Sequence, residues 1–227
     1  MEILFDTANL ADIEKLSAIY PLAGVTTNPT IIKAEGKIEF YAHFRRIRQI
    51  IGPDRTLHVQ VLATDAKGIV DDAHTLMKGI DEQILVKIPT TEPGLQAMRQ
   101  LKSEGAHVTA TAIYSRTQGF LAIAAGADYI APYFNRMESL DIDATATVGA
   151  LVRFAERAGT GTKVMPASFK NVAQVCAAID AGVPAVTVQP QLLRAAVGTA
   201  DVMQAVKAFA DDWQATFGTS ELPKLDR

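Results

Sequence analysis

The chain carries a single cysteine, Cys176, among its 227 residues. One thiol can neither close an internal disulfide nor supply a multi-cysteine metal site. Long apolar runs are missing too. None approaches the roughly 20 residues of a membrane-spanning helix, so no membrane association is expected. Neither sign of charge dominates: 22 basic against 25 acidic residues leave a net charge of -3, and no basic field invites nucleic acid. The four histidines, His43, His58, His74 and His107, have no metal-ligand spacing, and no H-E-x-x-H occurs, so no metal is expected. The opening segment MEILFDTANL places Glu2 and Asp6 where a secretory leader would need basic residues and an apolar core, which leads to the expectation of a cytoplasmic protein. Linkers, low-complexity tracts and short repeats are also lacking.

What is present suits a large core. Hydrophobic residues make up 48% and charged residues 21%, a balance that excludes a disordered chain. One domain is expected over residues 1–218, including a C-terminal helix at about 200–217. A polar tail, TSELPKLDR, follows at 219–227.

Short apolar runs alternate with amphipathic stretches. The runs are 3–6, 22–27, 57–62, 84–89, 107–113, 128–133, 163–168 and 185–190, several rich in Val and Ile as buried parallel strands are. Between them, helical spacing links Ile13, Leu16, Ile19 and Tyr20. The same spacing links Phe40, Phe44, Ile47 and Ile51, then Leu95, Met98 and Leu101, then Val172, Val175 and Ile179. Gly52, Gly105, Gly126 and Gly182 punctuate helix-to-strand turns. Eight strands alternating with helices predict an α/β fold, a (β/α)8 TIM barrel with an additional C-terminal helix. The competing architecture is an open doubly wound sheet, weakened by the absence of a G-x-G-x-x-G after the first strand.

In such a barrel the active site lies at the C-terminal ends of the strands. Those ends hold Asp6, then Thr26, Thr27 and Asn28, then Gln60, Lys87, Thr109 and Thr111, then Tyr133, Asn135 and Arg136, then Ser168 and Lys170, then Thr187 and Gln189. Polar side chains in or just past apolar runs are costly to bury without partners, so their convergence on one face points to a site. Lys87 is the sharpest signal, lying within Ile84-Leu85-Val86-Lys87-Ile88-Pro89. It is either a solvated or ion-paired structural lysine, Asp6 being the partner, or a desolvated amine suited to forming a Schiff base with a carbonyl. Imine chemistry needs a proton shuttle. Tyr133 can give and take a proton, and Gln60 and Thr111 can hold a water. Arg136, Ser168 and Lys170 form either a solvated rim or a phosphate site, with Ser168 also a candidate helix N-cap.

The remaining candidates are structural. Cys176 is expected to be a core thiol, Arg45, Arg46 and Arg48 a solvated helix face, and His43 and His74 surface or packing residues. Val202, Val206, Phe209, Trp213 and Phe217 form a stripe on the C-terminal helix that suits an interface with a neighbouring copy.

The segments Phe5-Asp6-Thr7-Ala8-Asn9, Ala23-Gly24-Val25-Thr26-Thr27-Asn28-Pro29, Val86-Lys87-Ile88-Pro89 and Ala167-Ser168-Phe169-Lys170 resemble the motifs of the small transaldolase family, nearly end to end. The resemblance implies a (β/α)8 barrel with a Schiff-base lysine at Lys87 and no cofactor, metal or nucleotide. Gln60, Ala131 and Tyr133 resemble the fructose-6-phosphate aldolases, where transaldolases place glutamate, serine and phenylalanine. The implied reaction is reversible aldol cleavage of fructose 6-phosphate to dihydroxyacetone and glyceraldehyde 3-phosphate, hydroxyacetone also serving as donor. The alternative is transfer of a dihydroxyacetone unit between sugar phosphates. A third reading, independent of the resemblance, is a non-catalytic barrel that binds a sugar phosphate. The resemblance implies that Tyr133 is the acid/base and that Gln60 and Thr111 position a water. Asp6 and Asn28 would bind donor hydroxyls, with Asp6 also orienting Lys87, and Thr26 would support them. Arg136, Ser168 and Lys170 would hold the acceptor phosphate. It also implies a homo-oligomer, a pentamer-based decamer. Pro166, where alanine is more usual, departs from the pattern beside the phosphate site.

Overall fold

The computed structural model describes residues 1–224. The first of two compact units, Met1–Pro190, holds eight parallel strands among the described residues. They are β1 (Glu2–Asp6), β2 (Leu22–Thr26), β3 (Thr56–Gln60), β4 (Leu85–Pro89), β5 (His107–Ile113), β6 (Tyr129–Pro132), β7 (Lys163–Val164) and β8 (Ala185–Val188). The ladder runs β7-β6-β5-β4-β3-β2-β1-β8. Thr187 N donates to Pro166 O at 3.1 Å, bringing the two ends of that order together. This is the nearly closed (β/α)8 barrel, and the open doubly wound alternative falls away.

The helices are α1 (Leu10–Ser17), α2 (Pro29–Ala34), α3 (Phe40–Ile51), α4 (Ala66–Gly79), α5 (Glu92–Ser103), α6 (Arg116–Ala124), α7 (Phe134–Glu138), α8 (Ala144–Ala158), α9 (Val172–Asp180) and α10 (Pro190–Val197). Most start on a side-chain cap just past a strand. Asn9, Asn28, Asp65, Thr91, Ser115 and Asn171 each accept from a backbone N–H two or three residues on. Helix ends return through glycines at positive φ: Gly52 at 75°, Gly105 at 84°, Gly126 at 88° and Gly182 at 86°. Gly24 has a different reason. A Cβ there would lie 2.1 Å from Thr56 Oγ1 and 2.5 Å from Thr56 O, so only glycine lets β2 pair with β3.

Alternation along the strands fills the barrel interior. Leu4, Leu85, Tyr129, Ala131, Met165, Ala167 and Ala185 form one apolar cluster. Two steps further along the same faces come Asp6, Lys87 and Tyr133, so the apolar floor ends in a polar layer at the strand C-termini. Toward the other end, Glu2 is bound by Lys163 Nζ and by the Tyr129 hydroxyl, the latter at 2.7 Å.

Three details depart from the sequence patterns. Ile19 is 61% exposed, because α1 stops at Ser17. β7 holds two residues rather than the expected six, since Pro132 has no N–H for its β6 side and Pro166 none for its β8 side. Cys176 is exposed rather than a core thiol: α9 buries Gln174, Val175 and Ala178, and Cys176 falls outside that arc.

The second unit, Gln191–Arg227, contains α11 (Ala200–Phe217), capped by Thr199 and ended by Gly218 at φ 66°. Val202, Met203, Val206, Phe209 and Phe217 on this helix are exposed, and Trp213 stacks on Phe217 with ring centroids 4.2 Å apart. Of the tail at 219–227, residues 225–227 lie outside the described residues. No described helix is long and apolar enough to cross a membrane.

Candidate active site

A cavity of about 420 Å³ opens at the C-terminal ends of the strands. Its lining includes Asp6, Asn28, Gln60, Lys87, Tyr133, Arg136, Ser168 and Lys170, which gathers eight of the ten residues singled out from the sequence. Thr26 and Thr111 are fully buried and lie behind this wall.

Lys87 sits on β4 between Gln60 of β3 and Thr109 of β5 in the strand register. It is 3% exposed, and its Nζ donates to the Thr27 carbonyl oxygen at 2.7 Å. Burial pushes the amine below the ordinary lysine range, and the nearby Asp6 charge offsets this in part. Asp6 is pushed up by its own burial, against the pull of Lys87 and of a Thr26 hydroxyl bond. That bond, Thr26 Oγ1 to Asp6 Oδ1, is 2.8 Å, and Thr187 Oγ1 lies 2.6 Å from Thr26 Oγ1. A hydroxyl relay thus runs from β8 through β2 to the β1 carboxylate. It holds Asp6 from behind, while a backbone carbonyl holds Lys87.

Tyr133 follows β6, and an isolated bridge to Ala167 fixes its backbone. Thr111 Oγ1 donates to its hydroxyl at 3.1 Å. Burial pushes the phenol up, with the Thr111 bond and Arg136 pulling the other way. Gln60 is the anomaly: its Oε1 is buried and has no hydrogen-bond partner. A buried acceptor left empty beside a cavity is a natural seat for a water or a substrate hydroxyl. Asn28 spends its Oδ1 on the first turn of α2, accepting from Thr30 N at 2.9 Å and Ile31 N at 3.0 Å, so its amide N–H groups remain for the cavity.

The rim carries the cations. Arg136 Nη1 donates to the Tyr114 hydroxyl at 3.0 Å, and its guanidinium lies 5.1 Å from the Tyr133 ring centroid. Ser168 does not cap a helix. Asn171 does that for α9, and Ser168 instead adopts φ 64° at the cavity edge. Ala112, also in the lining, has φ 57° at a register break in β5. Two non-glycine residues in left-handed conformation against one cavity mark stored strain at a functional site. Ala112 and Tyr114 were not singled out by the sequence. Their signal is conformational and pairwise, and neither property shows in a residue pattern.

The structural candidates resolve as follows. Arg45 and Arg46 are exposed, but Arg48 is mostly buried. Its Nε pairs with Asp81 at 2.7 Å, and Nη1 donates to Arg55 O at 2.6 Å, so it ties α3 to the barrel rather than facing solvent. His58 is fully buried in the barrel, with Nδ1 2.8 Å from Thr109 Oγ1 and Nε2 2.9 Å from Thr56 Oγ1. Burial and the charges of Lys87, Arg48 and Lys163 push it well below the ordinary histidine range. His43 rests on Ala8 O at 2.7 Å, and His74 pairs with Glu104 at 2.7 Å on the surface.

The family model for transaldolase/fructose-6-phosphate aldolase matches residues 3–220. A probable fructose-6-phosphate aldolase of Streptococcus pneumoniae (strain ATCC 700669 / Spain 23F-1) is 47% identical over 213 residues, covering 94% of this chain and 96% of that protein. Among solved structures, 2,3-dimethylmalate lyase, a PEP mutase/isocitrate lyase superfamily member, superposes with a TM-score of 0.55 at 13% identity. The match covers 98% of this chain and 84% of that one and concerns the fold alone. With the motifs on one barrel face and the match running almost from end to end, the chain belongs to the transaldolase/fructose-6-phosphate aldolase family.

Proposed function

We propose that this chain is a cytoplasmic class I aldolase that reversibly cleaves fructose 6-phosphate to dihydroxyacetone and glyceraldehyde 3-phosphate, with hydroxyacetone as a further donor. One observation carries the reading: a lysine 3% exposed, resting on a neutral carbonyl, in a cavity that also holds a tyrosine and a cationic rim. An ammonium with a depressed pKa supplies the neutral amine that attacks a ketone carbonyl.

In the cleavage direction the Lys87 lone pair adds to C2 of the sugar. The carbinolamine hydroxyl takes the Tyr133 proton and leaves as water, so that a protonated imine and a Tyr133 phenolate remain. The imine withdraws the electron pair of the C3–C4 bond as the C4 hydroxyl gives its proton to the Tyr133 phenolate. The aldehyde phosphate leaves, and an enamine remains on Lys87. Tyr133, held by Thr111, returns that proton to the enamine carbon, and a water on Gln60 hydrolyses the imine, releasing dihydroxyacetone as the remaining proton goes back to the phenolate. The water lost on imine formation is regained on hydrolysis, so the cycle balances. In this scheme Asp6 and Asn28 bind donor hydroxyls, the Thr26–Thr187 relay supports Asp6, and Arg136, Ser168 and Lys170 receive the acceptor phosphate.

Tyr133 and Gln60 favour release of free ketone over transfer. A phenol beside the imine can protonate the enamine, which otherwise waits for a second aldehyde. Transaldolase activity is therefore the minor reaction here. The test is fructose 6-phosphate alone with chelator present. Appearance of free dihydroxyacetone without added acceptor supports the aldolase, whereas turnover only after an acceptor aldehyde is added assigns a transaldolase. The exposed apolar residues of α11 support assembly of further copies into a homo-oligomer, to be read by light scattering of wild type and a Phe209→Ser variant.

A further inference from the structure

Tyr114 follows β5 and touches both ends of the site. Its ring meets the Tyr133 ring edge-on, with centroids 5.5 Å apart and an interplanar angle of 74°. Its hydroxyl accepts from Arg136 Nη1 at 3.0 Å, and the same guanidinium lies over the Tyr133 ring at 5.1 Å. The three residues form a closed triangle. Tyr114 is itself fixed, because its backbone N–H donates to Gln118 Oε1 at 2.9 Å in the first turn of α6.

We propose that Tyr114 is a positioning residue that couples the anion site at Arg136 to the hydroxyl of Tyr133, so that a bound phosphate group is sensed at the acid/base. This rests on the aldolase reading above and deepens it. Without an anion, Arg136 lies over the Tyr133 ring and stabilises negative charge there. A phosphate that neutralises Arg136 removes this help, and the phenol holds its proton to higher pH. The other charged or titratable groups around Tyr133 are Asp6 on β1, Lys87 on β4 and Lys170 beyond β7. None of them bonds to Arg136 in this arrangement. A phosphorylated acceptor thereby prepares the proton donor that its own reaction needs, and an unphosphorylated aldehyde does not.

Two measurements test this. First, the alkaline limb of the synthesis rate in the wild type should lie at higher pH with a phosphorylated acceptor than with glyceraldehyde. In Tyr114→Phe, which keeps the ring and removes the hydroxyl, that gap should shrink. The kcat/KM preference for the phosphorylated acceptor should fall about tenfold, the order expected for one hydrogen bond to a charged group. Equal loss with both acceptors, or an undiminished gap between the two limbs, overturns the coupling. Second, protein labelled with 13C at tyrosine Cζ is titrated with and without inorganic phosphate, Tyr133→Phe assigning the resonance. Phosphate should move the Tyr133 titration upward in wild type and much less in Tyr114→Phe, and an identical response in both proteins overturns the proposal. Because this readout needs no turnover, a protein without aldolase activity would refute the function while still deciding the coupling.

Discussion

Lys87 Nζ donates to the carbonyl oxygen of Thr27 at 2.7 Å, across from β4 to the end of β2. The amine is thus oriented by a neutral dipole, while Asp6 acts on it through space and is itself held by Thr26. A carbonyl fixes the direction of the amine but compensates its charge far less than a carboxylate in direct contact would. Lys87 therefore keeps a depressed pKa that a tight ion pair would abolish.

That depression has a cost in stability. Between the lowered pKa and the ordinary value of 10.5, the unfolded chain binds more protons than the folded one, so stability rises with pH across the window. Below it the full burial penalty applies. Lys87→Met is expected to be more stable than the parent at neutral pH by about 1–3 kcal/mol in urea unfolding, with the gap narrowing as pH nears 10.5. A less stable variant would contradict the burial account.

Tyr133→Phe removes the phenol that Thr111 supports and leaves the ring in place beneath Arg136. Cleavage to free dihydroxyacetone is expected to fall by about 10²–10³-fold, the usual contribution of a positioned proton donor, while transfer to an added aldehyde falls less. The ratio of the two rates, measured on one preparation, is the quantity to follow.

Thr26→Val breaks the relay between Thr187 and Asp6. Two buried oxygens lose a partner, which costs about 1–3 kcal/mol of stability. The Thr26 bond also holds the Asp6 pKa down against burial, so its loss lets Asp6 rise further, and the acid limb of activity moves to higher pH. A pH-rate profile with the acid limb unmoved would separate Asp6 from this control.

Ala112 has φ 57° at the β5 register break. Ala112→Gly relieves that conformation and is expected to stabilise the fold by about 1 kcal/mol. It also frees the segment leading to Tyr114, so KM should rise even as the urea midpoint increases.

Much of this was legible in the residues. β5 and α3 agree with the sequence pattern end for end, since alternation and helical spacing there are uninterrupted. Lys87 stands out because an ammonium inside an apolar strand calls for solvent, a partner or a use. What escaped notice depends on three-dimensional pairing or on backbone angles. Tyr114 sits one residue past a strand and reads as a loop tyrosine until Arg136 is placed beside it. Ser168 reads as a helix cap until its φ of 64° and the cap at Asn171 are known. Arg48 reads as solvated until Asp81, a residue of another loop, is brought against it. Cys176 missed the core by one step of a helix whose buried arc is narrow.

Borohydride trapping with dihydroxyacetone, under chelator and followed by peptide mass mapping, tests the central claim most directly. The account predicts one reduced adduct, carried by Lys87 and absent from Lys87→Met. Folded protein that gives no adduct at Lys87 with dihydroxyacetone or hydroxyacetone, or traps either at another lysine, would contradict it.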